Sequence, residues 1–263
     1  PLVVVGSATT GSLLPILDPS FVIYHCSDDY TRTPLFPKSY ARLEQRLSAG
    51  VDLVICTAEA LRQVKASLNP HTYTVTNGAQ IEHFSRVQMS DVEPSPELIN
   101  LPKPVVGYIG TLFEWVDQDM IAFAAQKRTA WSFVLIGPST ADFSRLERMP
   151  NVYILGSRPY ESLPSYLKGF DVATVPFVVH DVTLRASPVK FYEYLASGIP
   201  VVATRLPDLE QFSQIVSLVS SPQEFLEGVE HSICSENASK RTARMCQANN
   251  HSWDSKFKII DNL

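Results

Sequence analysis

The chain has 263 residues, of which 45% are hydrophobic and 19% are charged, and its formal net charge is −5. These values describe a soluble globular protein with enough apolar material for one large domain or two smaller ones. The acidic balance gives no basic surface of the kind that nucleic acid binding requires. No apolar run is long enough to cross a bilayer, and four widely spaced cysteines favour free thiols in a reducing, cytoplasmic compartment.

The first part of the chain alternates short apolar runs with longer amphipathic ones. Runs rich in Val and Ile predict strands at 2–6, 21–25, 52–56 and 72–76, and helical patterns lie at 38–49 and 58–67. The runs are apolar on both faces, which is typical of parallel strands covered by helices. The chain starts as if part-way into a strand, so we expect an incomplete first domain over 1–85.

The alternation stops in the stretch 85–104, which holds four prolines and charges of both signs and predicts a linker over 86–103. A second unit, 104–263, then repeats the pattern. Its predicted strands are 104–110, 131–137, 151–156, 171–177, 200–204 and 215–219, and its predicted helices are 117–128, 140–147, 160–169, 187–197 and 222–234. The fold class is therefore α/β, with two Rossmann-like domains of parallel strands whose C-terminal ends line a cleft.

The segment SPVKFYEYLASGIPVVAT (187–204) carries the strongest functional signal. Ser187 and Pro188 suit a helix start, yet Lys190 follows in the first turn, where the helix dipole disfavours a cation. A phosphate bound at the helix N-terminus would make Lys190 favourable, and Glu193 could then accept hydrogen bonds from sugar hydroxyls. The alternative is an exposed ion pair on the helix surface.

Two carboxylate-bearing segments leave alternatives open. Asp117 and Asp119 could form a metal-binding DxD motif, but a helix cap at Asp117 explains them better. His25 and Asp28 follow an apolar strand, where they could form an acid–base pair or make only local turn hydrogen bonds. Gly107 and Gly110 have the spacing GxxG, which is weak evidence for nucleotide binding.

Read together, these motifs resemble the retaining nucleotide-sugar glycosyltransferases of family 4, which have the two-domain GT-B fold. The similarity covers nearly the whole chain. The matching stretches are VVGYIGTL (105–112), WSFVLIGP (131–138), 151–177, 187–204 and 251–263, together with VDLVICTAEAL (51–61) and VTNGAQIEHF (75–84) in the first unit.

The resemblance implies roles for individual residues. Glu193 would bind the donor's ribose hydroxyls, as the second Glu of an E-x7-E motif. Lys190 and the N–H groups near Ser187 and Val189 would hold the pyrophosphate, with Gly110 and Thr111 opposite. Phe177 and His180 would lie near the base or the sugar, and the catalytic candidates facing the acceptor would be His25, Asp28 and Asp29.

Three positions depart from the family pattern. Arg185 stands where the first Glu of E-x7-E is expected, which obscures the donor's identity. The basic residues expected after the first glycine-rich loop are replaced by FEWVD (113–117), and Gln80 replaces the Asp of a related turn.

The sequence thus predicts a glycosyltransferase that moves a sugar from a UDP- or GDP-sugar to a hydroxyl of a sugar or lipid-linked acceptor, with retention and without a metal or other cofactor. A polysaccharide or glycoconjugate product is expected. The resemblance also allows a peripheral contact with the inner face of a membrane through a part that this chain lacks. The alternatives are a non-catalytic two-lobed binding protein, such as an inactive homologue, and a GT-B-like epimerase.

Overall fold

The computed structural model describes residues 1–33 and 36–263, and it forms every strand that the sequence predicts. In the first domain these are β1 (Leu2–Val5), β2 (Phe21–Cys26), β3 (Leu53–Cys56) and β4 (Thr72–Thr74). In the second domain they are β5 (Val105–Ile109), β6 (Ser132–Ile136), β7 (Val152–Gly156), β8 (Val172–Val175), β9 (Val201–Thr204) and β10 (Ser217–Val219).

The helices include all seven predicted ones and several more. They are α1 (Leu14–Leu17), α2 (Tyr40–Gly50), α3 (Glu59–Lys65), α4 (Ile81–Ser85), α5 (Pro96–Ile99), α6 (Gln118–Lys127), α7 (Ser144–Glu147), α8 (Leu163–Gly169), α9 (Val189–Ser197), α10 (Pro222–Ser235), α11 (Ala238–Asn249) and α12 (Trp253–Ile260). Within the described ranges, none of them is long and apolar enough to cross a membrane.

Both sheets are parallel, which confirms the α/β prediction. The first has the order β1-β2-β3-β4, and the second has the order β10-β9-β8-β5-β6-β7. In the second sheet the chain runs outwards from β5 to β7 and then returns to β8 on the other side of β5. Open α/β sheets bind ligands where the strand order reverses in this way, at the carboxyl ends of the strands. A ligand site is therefore expected in the crevice between the carboxyl ends of β5 and β8.

The predicted linker contains local structure that packs on the second domain. It includes a 3-10 turn (Arg86–Gln88) and α5. Val87 and Leu98 are buried in the core of the second domain, and Ile81 and Phe84 of the preceding α4 join that same core. The apolar side chains of this region thus belong to the larger of the two domains.

The last helix lies against the first domain. Ile260 of α12 packs on a small cluster formed by Ile23, Leu53, Ile55 and Val75, which line one face of the first sheet. Just before α12, Ser252 forms an isolated parallel bridge with Ala79. The C-terminal segment therefore connects both domains a second time.

Candidate functional site

Glycines bring two loops together at the end of β5. The Gly110 N–H donates to the Ile136 carbonyl at 2.8 Å, and the Gly110 carbonyl lies so close to Gly137 that a Cβ there would stand 2.1 Å from its oxygen. These contacts fix the loop after β5 beside the loop after β6. Thr111 is exposed at the edge of this crevice. Close backbone approach of this kind leaves room for a ligand at the strand ends.

Helix α9 begins one residue later than the sequence suggests. Its N-cap is Pro188, and Val189 is its first residue, whereas the sequence favoured Ser187 as the cap. The Ser187 hydroxyl does not cap the helix because it is bound elsewhere: its Oγ donates to Asp208 Oδ2 at 2.9 Å and lies 3.0 Å from the Tyr192 hydroxyl. The first turn of α9 therefore presents backbone N–H groups, not a hydroxyl, at its N-terminal end.

Lys190 extends from α9 to the loop after β5. Its Nζ lies 5.4 Å from the centre of the Tyr108 ring and 5.1 Å from that of Phe177. A Cβ at Gly110 would stand 2.3 Å from Lys190 Cε, so only glycine leaves space for this side chain. The structure thus brings together Gly110, Phe177 and Lys190, which come from three separate elements.

The pKa values of Lys190 and Glu193 are shifted towards each other. Burial lowers the pKa of Lys190 to about 8, although the carboxylates of Glu193 and Asp28 act in the opposite direction. Burial also raises the pKa of Glu193 to about 7, opposed by the positive charge of Lys190. An exposed surface pair would show neither shift, because desolvation causes both. The sequence alternative of an exposed pair is therefore excluded by burial.

The first domain contributes Asp28 to the same region. Burial raises the pKa of Asp28 to about 6, while the nearby Lys190 acts to lower it. His25 lies within β2, where burial lowers its pKa below the ordinary value. Among the described residues, no hydrogen bond or ion pair joins His25 to Lys190 or Glu193. The structure thus brings Asp28 to the Lys190 site but shows no contact between that site and His25.

Asp29 is engaged by an arginine of the other domain. Its Oδ2 accepts from Arg185 Nη1 at 2.6 Å, and its Oδ1 accepts from the Thr31 hydroxyl at 2.6 Å. Asp29 is only 4% exposed. A second ion pair between Arg32 and Asp181 crosses the cleft next to it. Both carboxylate oxygens of Asp29 are therefore occupied.

His180 lies at the mouth of the cleft. Its Nδ1 accepts from the backbone N–H groups of Val182 at 3.2 Å and Thr183 at 3.3 Å, so in the neutral ring Nε2 carries the proton. A pocket of about 570 Å³ is lined by His180, by Trp115 of the second domain and by Arg32 of the first. An aromatic pocket with a few polar groups at a domain interface is a common form of small-molecule site.

Several residues near the site were missed by the sequence analysis. Tyr160 follows β7, and burial, and then the nearby Glu193 carboxylate, raise its pKa to about 12. Its ring stacks on His83 with centroids 4.7 Å apart. Tyr108 carried a usable signal, since it lies between the two glycines of GYIG at a strand end. Nothing in the local sequence indicates that Tyr160 or Asp208 lies near α9.

The remaining carboxylate motif has a structural role. The Asp117 side chain accepts from the Met120 N–H at 2.8 Å and caps α6, as the sequence favoured over a metal site. Asp119 forms an ion pair with Arg145. Over residues 1–33 and 36–263, no group of three or more His, Cys, Asp or Glu side chains could hold a metal ion.

The assembled site therefore has a helix N-terminus and a partly buried lysine beside a glycine loop, with Glu193 one turn deeper. Backbone N–H groups and an ammonium group suit a phosphate, and a carboxylate suits vicinal hydroxyls. The aspartates of the first domain face this arrangement across the cleft. Such a site can bind a nucleoside diphosphate.

Comparison with known proteins agrees with this geometry. Residues 103–233 match the model of the family Glycosyl transferases group 1. Over 211 residues the chain is 28% identical to TuaH of Bacillus subtilis (strain 168), which is named as a glycosyltransferase of teichuronic acid biosynthesis; the match covers 73% of this chain and 52% of TuaH. The chain thus spans about half the length of that relative.

Solved structures share the fold of this chain at low sequence identity. HepE of Anabaena, in complex with UDP and glucose, superposes with a TM-score of 0.72 at 18% identity, covering 99% of this chain and 77% of HepE. Sucrose-phosphate synthase of Thermosynechococcus elongatus gives a TM-score of 0.74 at 15% identity, covering 100% of this chain and 72% of that enzyme. The chain therefore has the GT-B fold and carries a domain of the family Glycosyl transferases group 1.

Proposed function

We propose that the protein is a glycosyltransferase that transfers a sugar from a UDP-sugar to an acceptor hydroxyl with retention of configuration. The observation that carries this proposal is Lys190, which is held between Gly110 and the rings of Tyr108 and Phe177 at the start of α9. UDP is favoured over GDP because HepE, a protein of the same fold, was solved with UDP bound.

The diphosphate would lie between the first turn of α9 and the loop after Gly110. The N–H groups of Val189 and Lys190 and the Lys190 ammonium would stabilise the negative charge that develops as the nucleotide departs. Because these groups supply positive charge at the leaving phosphate, the proposed reaction does not require a divalent metal. Glu193 would accept hydrogen bonds from the ribose hydroxyls, with Thr111 and His180 at the edges of the donor site.

The acceptor would approach from the side of the first domain. Asp28 and His25 come from that domain, and the pocket lined by Trp115 and His180 is completed by Arg32 of the same domain. The acceptor hydroxyl would attack the anomeric carbon on the face that the nucleotide leaves, with a phosphate oxygen of the departing nucleotide taking its proton. A role in polysaccharide biosynthesis rests on the name of TuaH and is part of the proposal.

Titration calorimetry with UDP and uridine tests the donor site. We expect Glu193→Ala to weaken UDP binding by about 10- to 100-fold, because a hydrogen bond to a charged group contributes about 1.5–3 kcal/mol. Lys190→Ala should weaken UDP binding much more than uridine binding, since only UDP carries the diphosphate.

Matched controls are available on exposed parts of the second domain. Glu147→Ala and Lys127→Ala remove the same groups from exposed positions and should leave both affinities unchanged. Unchanged UDP affinity in Glu193→Ala, or equal losses for UDP and uridine in Lys190→Ala, would contradict the proposed donor site. UDP binding without any transfer or donor hydrolysis would instead identify a non-catalytic homologue.

A further inference from the structure

An arginine occupies the position at which a carboxylate was expected, and it pairs with the other domain. Arg185 lies just before α9, and its Nη1 donates to Asp29 Oδ2 at 2.6 Å. Asp29 lies in the loop after β2 of the first domain. The ion pair therefore spans the cleft beside the proposed donor site.

This pair is far better shielded from water than the other ion pair across the cleft. The side chains of Arg185 and Asp29 are 21% and 6% exposed, whereas those of Arg32 and Asp181 are 50% and 58% exposed. Exposed pairs contribute little, but removal of one partner from a buried pair leaves the other charge uncompensated. The Arg185–Asp29 contact should therefore restrain the first-domain loop more strongly than its neighbour.

Asp28 is the residue that this restraint positions. It precedes Asp29 in a tight turn, in which the Asp28 carbonyl accepts from the Tyr30 N–H at 3.0 Å and from Cys26 Sγ at 3.6 Å. Because Asp28 and Asp29 are adjacent in this turn, a restraint on Asp29 also restrains the Asp28 backbone and so limits the positions open to the Asp28 carboxylate. Asp28 and Lys190 affect each other's pKa, so the turn holds them within electrostatic range.

We propose that Arg185 is a positioning residue, which acts through Asp29 to hold the Asp28 carboxylate beside the Lys190 ammonium across the cleft. The value of this arrangement for sugar transfer rests on the proposed function. The effect of Arg185 on the position of Asp28 relative to Lys190 does not depend on that function, and it can be measured without nucleotide or turnover. The UDP experiments and the test of this inference therefore have separate readouts, so that either one can fail without the other.

The pKa of Lys190 reports the position of Asp28. The protein would be labelled by reductive ¹³C-methylation of its lysines, with the Lys190 signal assigned by its loss in Lys190→Arg, and titrated by NMR. The charged groups that face Lys190 are Asp28 and Glu193. Arg185→Met keeps the apolar stem of the arginine and removes its charge.

The direction in which the pKa of Lys190 changes in Arg185→Met distinguishes a positioning role of Arg185 from a direct effect of its charge. Loss of a nearby cation would by itself raise the pKa of Lys190, whereas loss of contact with Asp28 would lower it. We expect Arg185→Met to lower the pKa of Lys190 by about 0.5 to 1, in the same direction as Asp28→Asn. In the Asp28→Asn background, Arg185→Met should produce no further fall.

Other results would overturn the inference. A rise or no change in the pKa of Lys190 in Arg185→Met would show that Arg185 does not position Asp28. A fall of equal size in the Asp28→Asn background would show that it acts by another route. Arg205→Met, which breaks the exposed pair with Glu210, is the matched control and should leave Lys190 unchanged. If Arg185→Met does not fold, Arg185→Gln provides the same test with a polar side chain.

Discussion

Lys190 and Glu193 are held in an environment that penalises both of their charges. Burial moves the pKa of Lys190 to about 8 and that of Glu193 to about 7, so each group titrates close to neutral pH. Perturbed pairs of this kind are concentrated at functional sites. The pair also defines a narrow pH range, between the two values, in which both groups are charged.

UDP affinity should therefore depend on pH in a bell-shaped manner. Below about pH 7 Glu193 gains a proton and can no longer accept two hydroxyl donors, and above about pH 8 Lys190 loses its charge. We expect the affinity to be greatest between these values and to fall by up to about tenfold per pH unit on either side. Calorimetry from about pH 5.5 to about pH 9.5 would measure it.

Two variants test which group causes the acidic limb of this pH curve and which causes the alkaline limb. Glu193→Gln should remove the limb near pH 7 and leave the titrations of the phosphate, at about pH 6, and of Asp28, whose pKa burial raises to about 6. Lys190→Met should remove the alkaline limb. A curve that keeps both limbs in both variants would show that other groups control nucleotide binding.

Glycine is required at position 110 because the Lys190 side chain packs directly against it. A Cβ would stand 2.3 Å from Lys190 Cε, and the residue has φ +153. We expect Gly110→Ala to displace the Lys190 side chain and to weaken UDP binding by about tenfold or more, as loss of a hydrogen bond to a charged group would. Calorimetry with UDP measures this loss.

Gly156→Ala separates this steric effect from backbone strain. Gly156 has φ +72, but a Cβ there would meet nothing within 4 Å. Its replacement should cost stability, by about 1 kcal/mol, and leave UDP affinity nearly unchanged. Equal losses of affinity in the two variants would mean that strain, and not the position of Lys190, explains the effect of Gly110→Ala.

At the scale of single residues, the sequence indicates some groups of the site and not their partners. Lys190 stands out because its charge opposes the helix dipole, and Gly110 because it ends a strand. The partner of Arg185 could not be predicted, since Asp29 lies 156 residues away along the chain. The orientation of the Ser187 side chain could not be predicted either, because its hydroxyl binds Asp208 and does not cap the helix.

At the scale of elements, burial decides which predictions succeed. The strands were predictable because they are short apolar runs, and β5, β6, β8 and β9 are buried along their whole length. The first strand, β1, was predicted by its run of apolar residues although Leu2 and Val4 are exposed. Helix α11 was missed because its sequence, ASKRTARMCQAN, is mostly polar and buries only Arg244 and Ala248. Its polar contacts include those of the Arg244 guanidinium, which donates to the Gly198 carbonyl and to Glu236, and Ala248 adds one small side chain to the core of the second domain. Hydrophobic periodicity cannot detect a helix that is held in this way.

Helix α9 is held at its start by the half-buried carboxylate of Asp208. Asp208 Oδ2 accepts from the Ser187 hydroxyl at 2.9 Å and from the Tyr192 hydroxyl at 3.0 Å. Asp208→Ala leaves both hydroxyls without this acceptor and should lower the free energy of unfolding by about 1–3 kcal/mol. Because the start of α9 is part of the proposed donor site, UDP affinity should fall as well. Urea denaturation and calorimetry measure the two effects.

Glu210→Ala is the matched control for this element. Glu210 lies in the same 3-10 segment (Pro207–Phe212), but its ion pair with Arg205 is exposed, with side chains 49% and 47% accessible. Its loss should cost less than about 1 kcal/mol and leave UDP binding intact. If Asp208→Ala were no more damaging than Glu210→Ala, the Asp208 carboxylate would not be what holds the start of α9.

At the scale of the whole molecule, the two α/β domains follow from the sequence, but their second connection does not. Strand–helix alternation interrupted once predicts two parallel sheets. The return of α12 to the first domain depends on two apolar residues, Ile260 and Trp253, together with polar contacts. The Trp253 ring lies against Gly78, where a Cβ would stand 2.9 Å from it. Lys256 Nζ donates to the Thr76 hydroxyl at 2.7 Å and to His251 Nδ1 at 2.9 Å.

His251 lies at the meeting point of the two domains. Its ring stacks on Tyr192 of α9, with centroids 4.3 Å apart, and its carbonyl accepts from the Ala79 N–H at 2.8 Å. Burial, and then the nearby Lys256 ammonium, lower the pKa of His251 to about 4. Protonation of this ring would place a second cation beside Lys256 in a buried contact.

The contribution of His251 to the stability of the protein should therefore decrease in mildly acidic solution. In the unfolded chain His251 takes up a proton as the pH falls below about 6.5, whereas the folded protein resists this until about pH 4. Over this range the unfolded state binds more protons, so the contribution of His251 is complete above about pH 6.5 and is lost as the pH falls, by up to about 1.4 kcal/mol per pH unit. Urea denaturation at a series of pH values measures it.

His251→Gln isolates this contribution from those of other groups. Gln keeps an acceptor for Lys256 and cannot titrate, while Glu193 and Asp28, whose raised pKa values act in the opposite direction, are present in both proteins. The wild type should be more stable than the variant at about pH 8, and this difference should shrink between about pH 6.5 and about pH 4. A difference that stays constant over that range would show that His251 does not resist protonation in the folded state. The junction between the domains would then owe its acid sensitivity to other groups.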